Sequence, residues 1–311
     1  MIIARTPLRI SFVGGGSDLP AFYREEPGAA VSATIDKYVY VTVSPKFDGS
    51  IRAAYSVTEN VEQASDLQHD LIREALRLLA VGSVEIHSIA DIPSGTGLGS
   101  SSAFAVGLIK ALENYHGCDR IWHKLADMAC ELEINHCQHP IGKQDHYAAA
   151  FGGLKLYHFL PDETVGVTPI VCDAIELRQH LLLLYTGSAR QGSAGQVLAG
   201  QQQDRDAVRE LKELAERFAG MLVAGAFAQC GEIMDWAWSI KRRFIGDSID
   251  HWYAAALQAG AWGGKLCGAG GGGFLLFLAP PERHDAITLA LGLRRVPIRL
   301  STVGSQVIYA D

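Results

Sequence analysis

Residues 93–103, PSGTGLGSSSA, constrain this chain more than any other segment. They follow residues 84–90, whose alternating pattern predicts a strand, and lead into AFAVGLIKALENY, a proline-free helix from Ser102 onward. Glycine lets a backbone approach a ligand closely, and the N–H groups that open a helix have no acceptor within it. A glycine-rich turn between a strand and a helix is therefore an anion cradle by construction. Two more clusters, Gly14 to Gly16 and Gly268 to Gly273, hold much of a glycine excess, 33 of 311 residues against an average of roughly 7%. The middle cluster lacks the Lys of G-x-x-x-x-G-K-[ST], and no acidic residue closes a second strand behind a G-x-G-x-x-G, so Walker and dinucleotide-fold readings are poor. A bare tight turn is the plain alternative for any one such loop. Ser100, Ser101 and Ser102 can cap the helix, or equally offer hydroxyls to Mg²⁺ or a phosphate oxygen.

Strands and helices alternate around this loop without the rhythm of a doubly wound sheet, which predicts an α+β fold. Val39, Val41 and Val43 alternate with Tyr38, Tyr40 and Thr42 in a strand region that fills the first 45 residues, while Leu67, Leu71, Ala75, Leu78 and Leu79 share a helical face over 66–79. A second helix fits 121–137, ended by Pro140 and Gly142. Asp145 opens a short helical segment that Gly152 and Gly153 stop, and 154–160 resumes a strand. Past Pro161 and Pro169 come a strand at 180–185, long amphipathic helices across 191–258, a strand at 274–278, a helix near 283–293, and strands around 296–300 and 306–309. The change of character predicts two lobes, 1–168 and 169–311.

With 48% hydrophobic and 20% charged residues the chain is a folded globular protein. A net charge of -7 leaves no global positive field for nucleic acid or an anionic membrane surface, and neither is an expected partner. The apolar runs at 181–185 and 274–279 are far short of the ~20 residues of a membrane span. Six cysteines without a C-x-x-C pair, and an N-terminus MIIARTPLRI without a signal-peptide pattern, predict a reduced, cytoplasmic protein.

The three glycine clusters, PLRISFVGGGSD, PSGTGLGSSSA and KLCGAGGGGF, occur in the order of the three motifs of the GHMP small-molecule kinases, which the whole chain resembles. PIGKQDHYAAAFGG, at 140–153, is similar to the family segment that carries the catalytic aspartate. VGGGSDLPAFY, TIDKYVYV and IGKQD most resemble the bacterial heptose phosphate kinase branch, with fucokinase-like sugar kinases as neighbours.

The resemblance implies a ribosomal-protein-like N-terminal lobe, a ferredoxin-like C-terminal lobe and an active site between them. It also implies transfer of the γ-phosphoryl group of ATP, with Mg²⁺, to a sugar hydroxyl. On that pattern Pro93, Ser94, Gly95, Thr96, Gly97, Leu98, Gly99, Ser100, Ser101 and Ser102 form the ATP site. Asp145 matches the catalytic aspartate, and Arg9 stands where galactokinase-like members keep an arginine beside it. Glu133 matches the glutamate that holds Mg²⁺ opposite Ser101. Its spacing to Asp145 is one residue longer than in mevalonate kinase, which leaves Glu131 as a weaker candidate.

Asp18, after Gly15 and Gly16, suits sugar hydroxyls because a carboxylate offers two acceptor oxygens; capping of the next turn is its plain role. A phosphate on the acceptor needs cations, for which Arg190 is the first choice, followed by Lys143 and the Lys241, Arg242, Arg243 group. Gly270 and Gly271 can pack on the phosphate loop or on the substrate, with Lys265 nearby. His136, His139, His146 and Cys137 lack zinc-site spacing, and Trp236 and Trp238, two apart, read as core packing with partial exposure rather than as a sugar platform.

The expected activity is an ATP- and Mg²⁺-dependent sugar kinase acting on the anomeric hydroxyl of D-glycero-D-manno-heptose 7-phosphate. A fucokinase or another sugar 1-kinase is the alternative within the class. A catalytically silent sugar or nucleotide sensor is the alternative outside it, and has no need of Asp145. The small-molecule sugar phosphate is the one partner implied; the oligomeric state stays open, a homodimer included.

Overall fold

The computed structural model describes residues 1–187, 204–245, 249–268 and 272–311. Strand β1 (Ile2–Val13) runs through a turn containing the short helix α1 (Pro20–Tyr23) into the 18-residue strand β2 (Gly28–Pro45), its antiparallel partner, with Ile2 opposite Val43 and Ile10 opposite Ala33. The strands β3 (Ile51–Ala54) and β4 (Thr58–Val61) form a hairpin, α2 (Asp70–Leu78) crosses over, and β5 (Val84–Ala90) returns parallel to β3 and antiparallel to β2. The alternation read in β2 is the real one, since Val39, Val41 and Val43 are buried and Tyr38, Tyr40 and Thr42 are not.

Helix α3 (Ser100–Tyr115) is buried continuously from Ser102 to Glu113, as befits a segment apolar on all sides. It starts two residues earlier than the sequence pattern predicts. The predicted helix over 121–137 divides into α4 (Trp122–Cys130) and a π-helical turn, Glu131–His136. Such turns accommodate one extra residue, and they concentrate at functional sites. Helix α5 (Gln144–Phe151) leads through Gly152 and Gly153 to β6 (Leu154–Phe159), which pairs with the first third of β2 and with β7 (Val165–Pro169).

After α6 (Ala174–His180), whose N-terminal N–H groups from Ile175 and Glu176 donate to the Asp173 carboxylate, β8 (Leu181–Tyr185) opens a second sheet. Neither β7 nor α6 was anticipated. The long helices α7 (Arg205–Val223), α8 (Phe227–Ile245) and α9 (Asp250–Gln258) follow, then β9 (Gly263–Leu266), β10 (Phe274–Leu278), α10 (His284–Leu291) and the two-residue β11 (Arg294–Arg295). The second sheet has the order β11-β8-β10-β9. The strand expected over 296–300 is reduced to a single bridge between Leu300 and Ile35, flanked by backbone bonds from Asp36 to Arg299 and from Ser301 to Thr34, while Val296 bonds instead to Leu183 of the second sheet, so the stretch passes from one sheet to the other without a continuous ladder.

The last strand, β12 (Gln306–Ala310), pairs with β1 in the first sheet, whose path is β12-β1-β2-β5-β3-β4. A division at residue 168 assigns this strand to the second lobe, but its pairing is with the first. Helix α7 likewise reaches the first sheet through Phe218, whose ring lies 5.1 Å from that of Phe12. A smaller core of Leu182, Leu184, Trp238, Tyr253 and Phe277 fills the far side of the second sheet. Trp238 is buried there, whereas Trp236 is half exposed and donates its indole N–H to Glu210. Among the described residues, no helix is long and apolar enough to cross a membrane.

Candidate active site

The strand β5, the 93–99 turn and helix α3 open one wall of a cavity of about 440 Å³ between the two sheets. Gly99 occupies the cap position of α3 with φ 74°, and no side chain caps the helix. The N–H groups of Ser100, Ser101 and Ser102 are left without intrahelical acceptors, the arrangement that attracts phosphate. The third glycine motif packs on this turn backbone to backbone. A Cβ on Gly97 would stand 2.4 Å from the Cys267 carbonyl oxygen, and one on Gly268 would stand 2.5 Å from the Gly97 Cα. Of the two roles open to that motif, the described part of it takes the first, support of the phosphate loop.

Asp145, in the first turn of α5, faces Arg9 of β1. The guanidinium Nε donates to Oδ1 at 2.7 Å and Nη2 to Oδ2 at 2.5 Å, while Nη1 donates to the Gly97 carbonyl at 2.7 Å. Arg9 is buried, and Asp145 keeps about a quarter of its side-chain surface, 26%, exposed to the cavity. A fork this rigid fixes the carboxylate plane while leaving its free lone pairs toward the opening.

Glu133 projects from the π-helical turn and is 1% exposed. Its carboxylate accepts the Ser101 hydroxyl, the Nε2–H of buried His146 at 2.7 Å, and Nδ1–H of His139 at 3.3 Å. His139 also donates from Nε2 to Asp70 at 2.7 Å. With both ring nitrogens donating, His139 is an imidazolium, and the hydrogen bond to Glu133 is the main cause that raises its pKa to about 9. Burial works against ionisation of Glu133, yet its hydrogen bonds to His139 and His146 outweigh burial and hold its pKa far below the usual range. Glu131, the weaker candidate, is exposed and bonded to Asn135.

A divalent ion fits the Ser101 and Glu133 pair on the chemistry of its donors. Mg²⁺ takes oxygen ligands, few of them from protein, and here a hydroxyl and an ionised carboxylate touch at the cavity wall.

Asp18 lies at the opposite side of the cavity, buried, accepting the backbone N–H of Gly16 at 3.0 Å and of Gln144 at 3.2 Å. Burial first, then the nearby Asp145 carboxylate, pushes its pKa up against those two donors. Gly142 makes the arrangement possible, since a Cβ there would fall 2.0 Å from Asp18 Oδ2.

Gly15, Gly16, Gly95, Gly97, Gly99 and Ser100 to Ser102 all line the cavity with Arg9, Asp18, Glu133 and Asp145. Four of the predicted phosphate-loop residues do not. Thr96 and Leu98 turn their side chains into the protein, Thr96 donating to the Pro93 carbonyl, and Pro93 and Ser94 are exposed outside it. Lys143 is a correction. Its ammonium donates to the Glu163 carboxylate at 2.6 Å and sits over the Tyr23 ring, so its charge is spent away from the cavity. Arg242 and Arg243 are paired with Asp250 and Asp204, leaving Lys241 as the member of that group in the cavity. Arg190, Gly270 and Gly271 lie outside the described residues.

Sequence reasoning missed Gln144, buried and bridging Asp18 to Ser11 through its backbone N–H and its Nε2. It also missed the joint role of His139 and His146. A simpler signal than zinc spacing is the run of three histidines, His136, His139 and His146, that follows the two glutamates Glu131 and Glu133.

Comparison with known proteins matches the GHMP kinases N terminal domain to residues 67–153 and the GHMP kinases C terminal domain to residues 209–295. A D-glycero-alpha-D-manno-heptose 7-phosphate kinase of Campylobacter jejuni is 28% identical, over 93% of this chain and 93% of its own. A mevalonate kinase of Pyrococcus abyssi is 30% identical over 91% and 82% respectively. Among solved structures, a D-glycero-D-manno-heptose 1-phosphate kinase from Bacteroides thetaiotaomicron superposes with a TM-score of 0.83 at 26% identity, covering 100% of both chains.

Proposed function

This chain belongs to the GHMP kinases, and from that premise we propose that it phosphorylates the anomeric hydroxyl of D-glycero-D-manno-heptose 7-phosphate with ATP, giving the 1,7-bisphosphate, as a step of nucleotide-activated heptose synthesis. The observation that carries the catalytic part is the bidentate Arg9 and Asp145 pair, aimed into a cavity whose other wall is an uncapped helix N-terminus. The sugar follows from similarity to the heptose phosphate kinase, which extends over nearly the full length of both chains.

Phosphoryl transfer asks for positioning, charge neutralisation and an oriented hydroxyl. In this site Asp145 accepts the hydrogen of the attacking hydroxyl and takes its proton as the new O–P bond forms and the bond from the γ-phosphorus to the β,γ-bridging oxygen breaks, with ADP as the leaving group. Arg9 holds that carboxylate in plane through its two parallel hydrogen bonds. The N–H groups at the start of α3 receive the phosphate oxygens of ATP. Ser101 and Glu133 would hold Mg²⁺, which when bound offsets charge on the β and γ oxygens. The Asp18 carboxylate, fixed by two backbone N–H groups, keeps lone pairs for hydroxyls of the sugar.

The test is ADP release measured over a sugar panel that includes the 7-phosphorylated heptose, the free heptose and fucose. Turnover of the heptose 7-phosphate far above the others is the expected result. Preference for fucose moves the assignment to a fucokinase-like activity, and ATP binding without transfer to any sugar makes the protein a sensor.

A further inference from the structure

Two lysines of the second lobe enter the cavity and have no part in the steps above. Lys241, near the end of α8, is 9% exposed and donates to the Gly268 carbonyl at 2.5 Å; Lys265, in β9, is 5% exposed and donates to the Phe12 carbonyl at 3.0 Å. Each ammonium has three N–H donors, so most of this capacity is unspent. Among the described residues neither meets a carboxylate within 4.0 Å. Among the described residues the other cations considered for an anion are paired, Arg9 with Asp145, Lys143 with Glu163, Arg242 with Asp250 and Arg243 with Asp204.

Two neighbouring ammonium groups without counter-ions, both more than nine-tenths buried, are costly in a folded chain. Burial lowers the pKa of Lys241 to about 8; burial, then repulsion from Lys241, pushes Lys265 well down. An anion between them removes that cost. A carboxylate would balance one charge, whereas a phosphate monoester, close to a dianion near neutral pH, balances both. Both lysines line the main cavity, which Gly97 and Asp18 also border, and they extend into a recess lined by Phe12, Val13, Gly14 and Gly15, which places the pair beside the turn leading to Asp18. Asp18 is the carboxylate on that side, and its oxygens are engaged by backbone N–H groups.

We propose that Lys241 and Lys265 together bind the phosphate monoester of the acceptor, an assignment that rests on the phosphorylated-sugar reading above. It makes the second lobe the element that selects phosphorylated over free sugars.

Steady-state kinetics with the heptose 7-phosphate and the free heptose test it on the wild type, Lys241→Met and Lys265→Met. Each variant is expected to lower kcat/KM for the phosphorylated sugar by roughly tenfold to a hundredfold, mainly through KM, and to change the free sugar far less. Lys241→Arg, which keeps a cation, should retain most of the preference and replaces the methionine variant if that one does not fold. Calorimetric titration with inorganic phosphate, without sugar or nucleotide, should show binding that both methionine variants weaken. A wild-type preference that survives both variants overturns the inference, leaves the substrate reading standing and turns attention to Arg190. No preference in the wild type, with phosphate binding still lost in the variants, rejects the heptose phosphate and keeps the anion site. Phosphate binding unchanged in the variants, or a rise in KM for ATP in place of the sugar, overturns it.

Discussion

Gly142→Ala adds a single methyl group and is expected to disable acceptor binding. The new Cβ would lie 2.0 Å from Asp18 Oδ2, 2.3 Å from its Cγ and 2.8 Å from its carbonyl oxygen, so something must retreat by about 1 Å before the contact is tolerable. Asp18 cannot yield freely, because its carboxylate is tied to the N–H groups of Gly16 and Gln144 and its carbonyl to that of Lys143. Overpacking of this kind costs about 1–3 kcal/mol in stability. A displacement near 1 Å in a positioning residue lowers kcat/KM for the acceptor by roughly 100-fold. KM for ATP should stay within about twofold, since the phosphate cradle touches neither residue. Steady-state kinetics in both substrates and denaturant unfolding measure the three quantities. The cause is isolated by a double-mutant cycle, in which Asp18→Ala removes the obstructing carboxylate and Gly142→Ala should then add little. If Gly142→Ala leaves the acceptor kcat/KM intact, or harms it equally in the Asp18→Ala background, the steric account is wrong.

Asp145→Asn should lower kcat by roughly 10²–10⁴ with KM for ATP little changed, and a variant near wild-type turnover would remove Asp145 from the chemistry. Ser101→Ala and Glu133→Gln should each raise the Mg²⁺ concentration needed for half-maximal rate; titrations identical to wild type would place the ion on other residues. Glu163, which accepts from Lys143, Tyr23 and Arg24, has its pKa lowered to about 2, burial opposing and these hydrogen bonds prevailing. Its stabilising contribution is present above the unfolded-state pKa near 4.5 and disappears as pH falls through about 2. Glu163→Gln should therefore flatten the acid limb of a melting-temperature profile between those values, and an unaltered limb would refute the linkage.

The local parts of this architecture were legible because each rests on neighbours in sequence. The strand β5 at Val84–Ala90 follows from alternation, and the turn after it from glycine spacing. Choosing Glu133 over Glu131 was harder, since a helix of ordinary pitch does not say which of two residues faces inward. The π-helical turn settles the direction by slipping one residue into the helix, and the extra residue noted in the spacing to Asp145 is consistent with it. Lys143 shows how adjacency misleads. It precedes the catalytic candidate by two positions, yet its side chain leaves on the other side of α5 toward Tyr23 and Glu163. The sequence offers Lys241 only as one of a run of three cations and Lys265 only as a neighbour of the third glycine motif, because buried cations come together through packing of α8 on β9, which no short-range pattern reveals. The loss of the strand expected near 296–300 and the return of β12 to the first sheet have the same origin, partners far away in sequence.

That return has a consequence for how the protein is made. Synthesis delivers β1 and its inner neighbour β2 in close succession, but the other edge of β1 waits for residues 306–310. Until those residues emerge the sheet carries a bare edge, able to recruit a strand from another chain. The bonds Thr6 to Ser305 and Ser305 to Ala149 form in the same late step and tie the closing segment to the wall of the cavity behind α5. A chain interrupted short of residue 306 therefore keeps the outer edge of β1 exposed, and the pairing of residues 306–310 is what covers it.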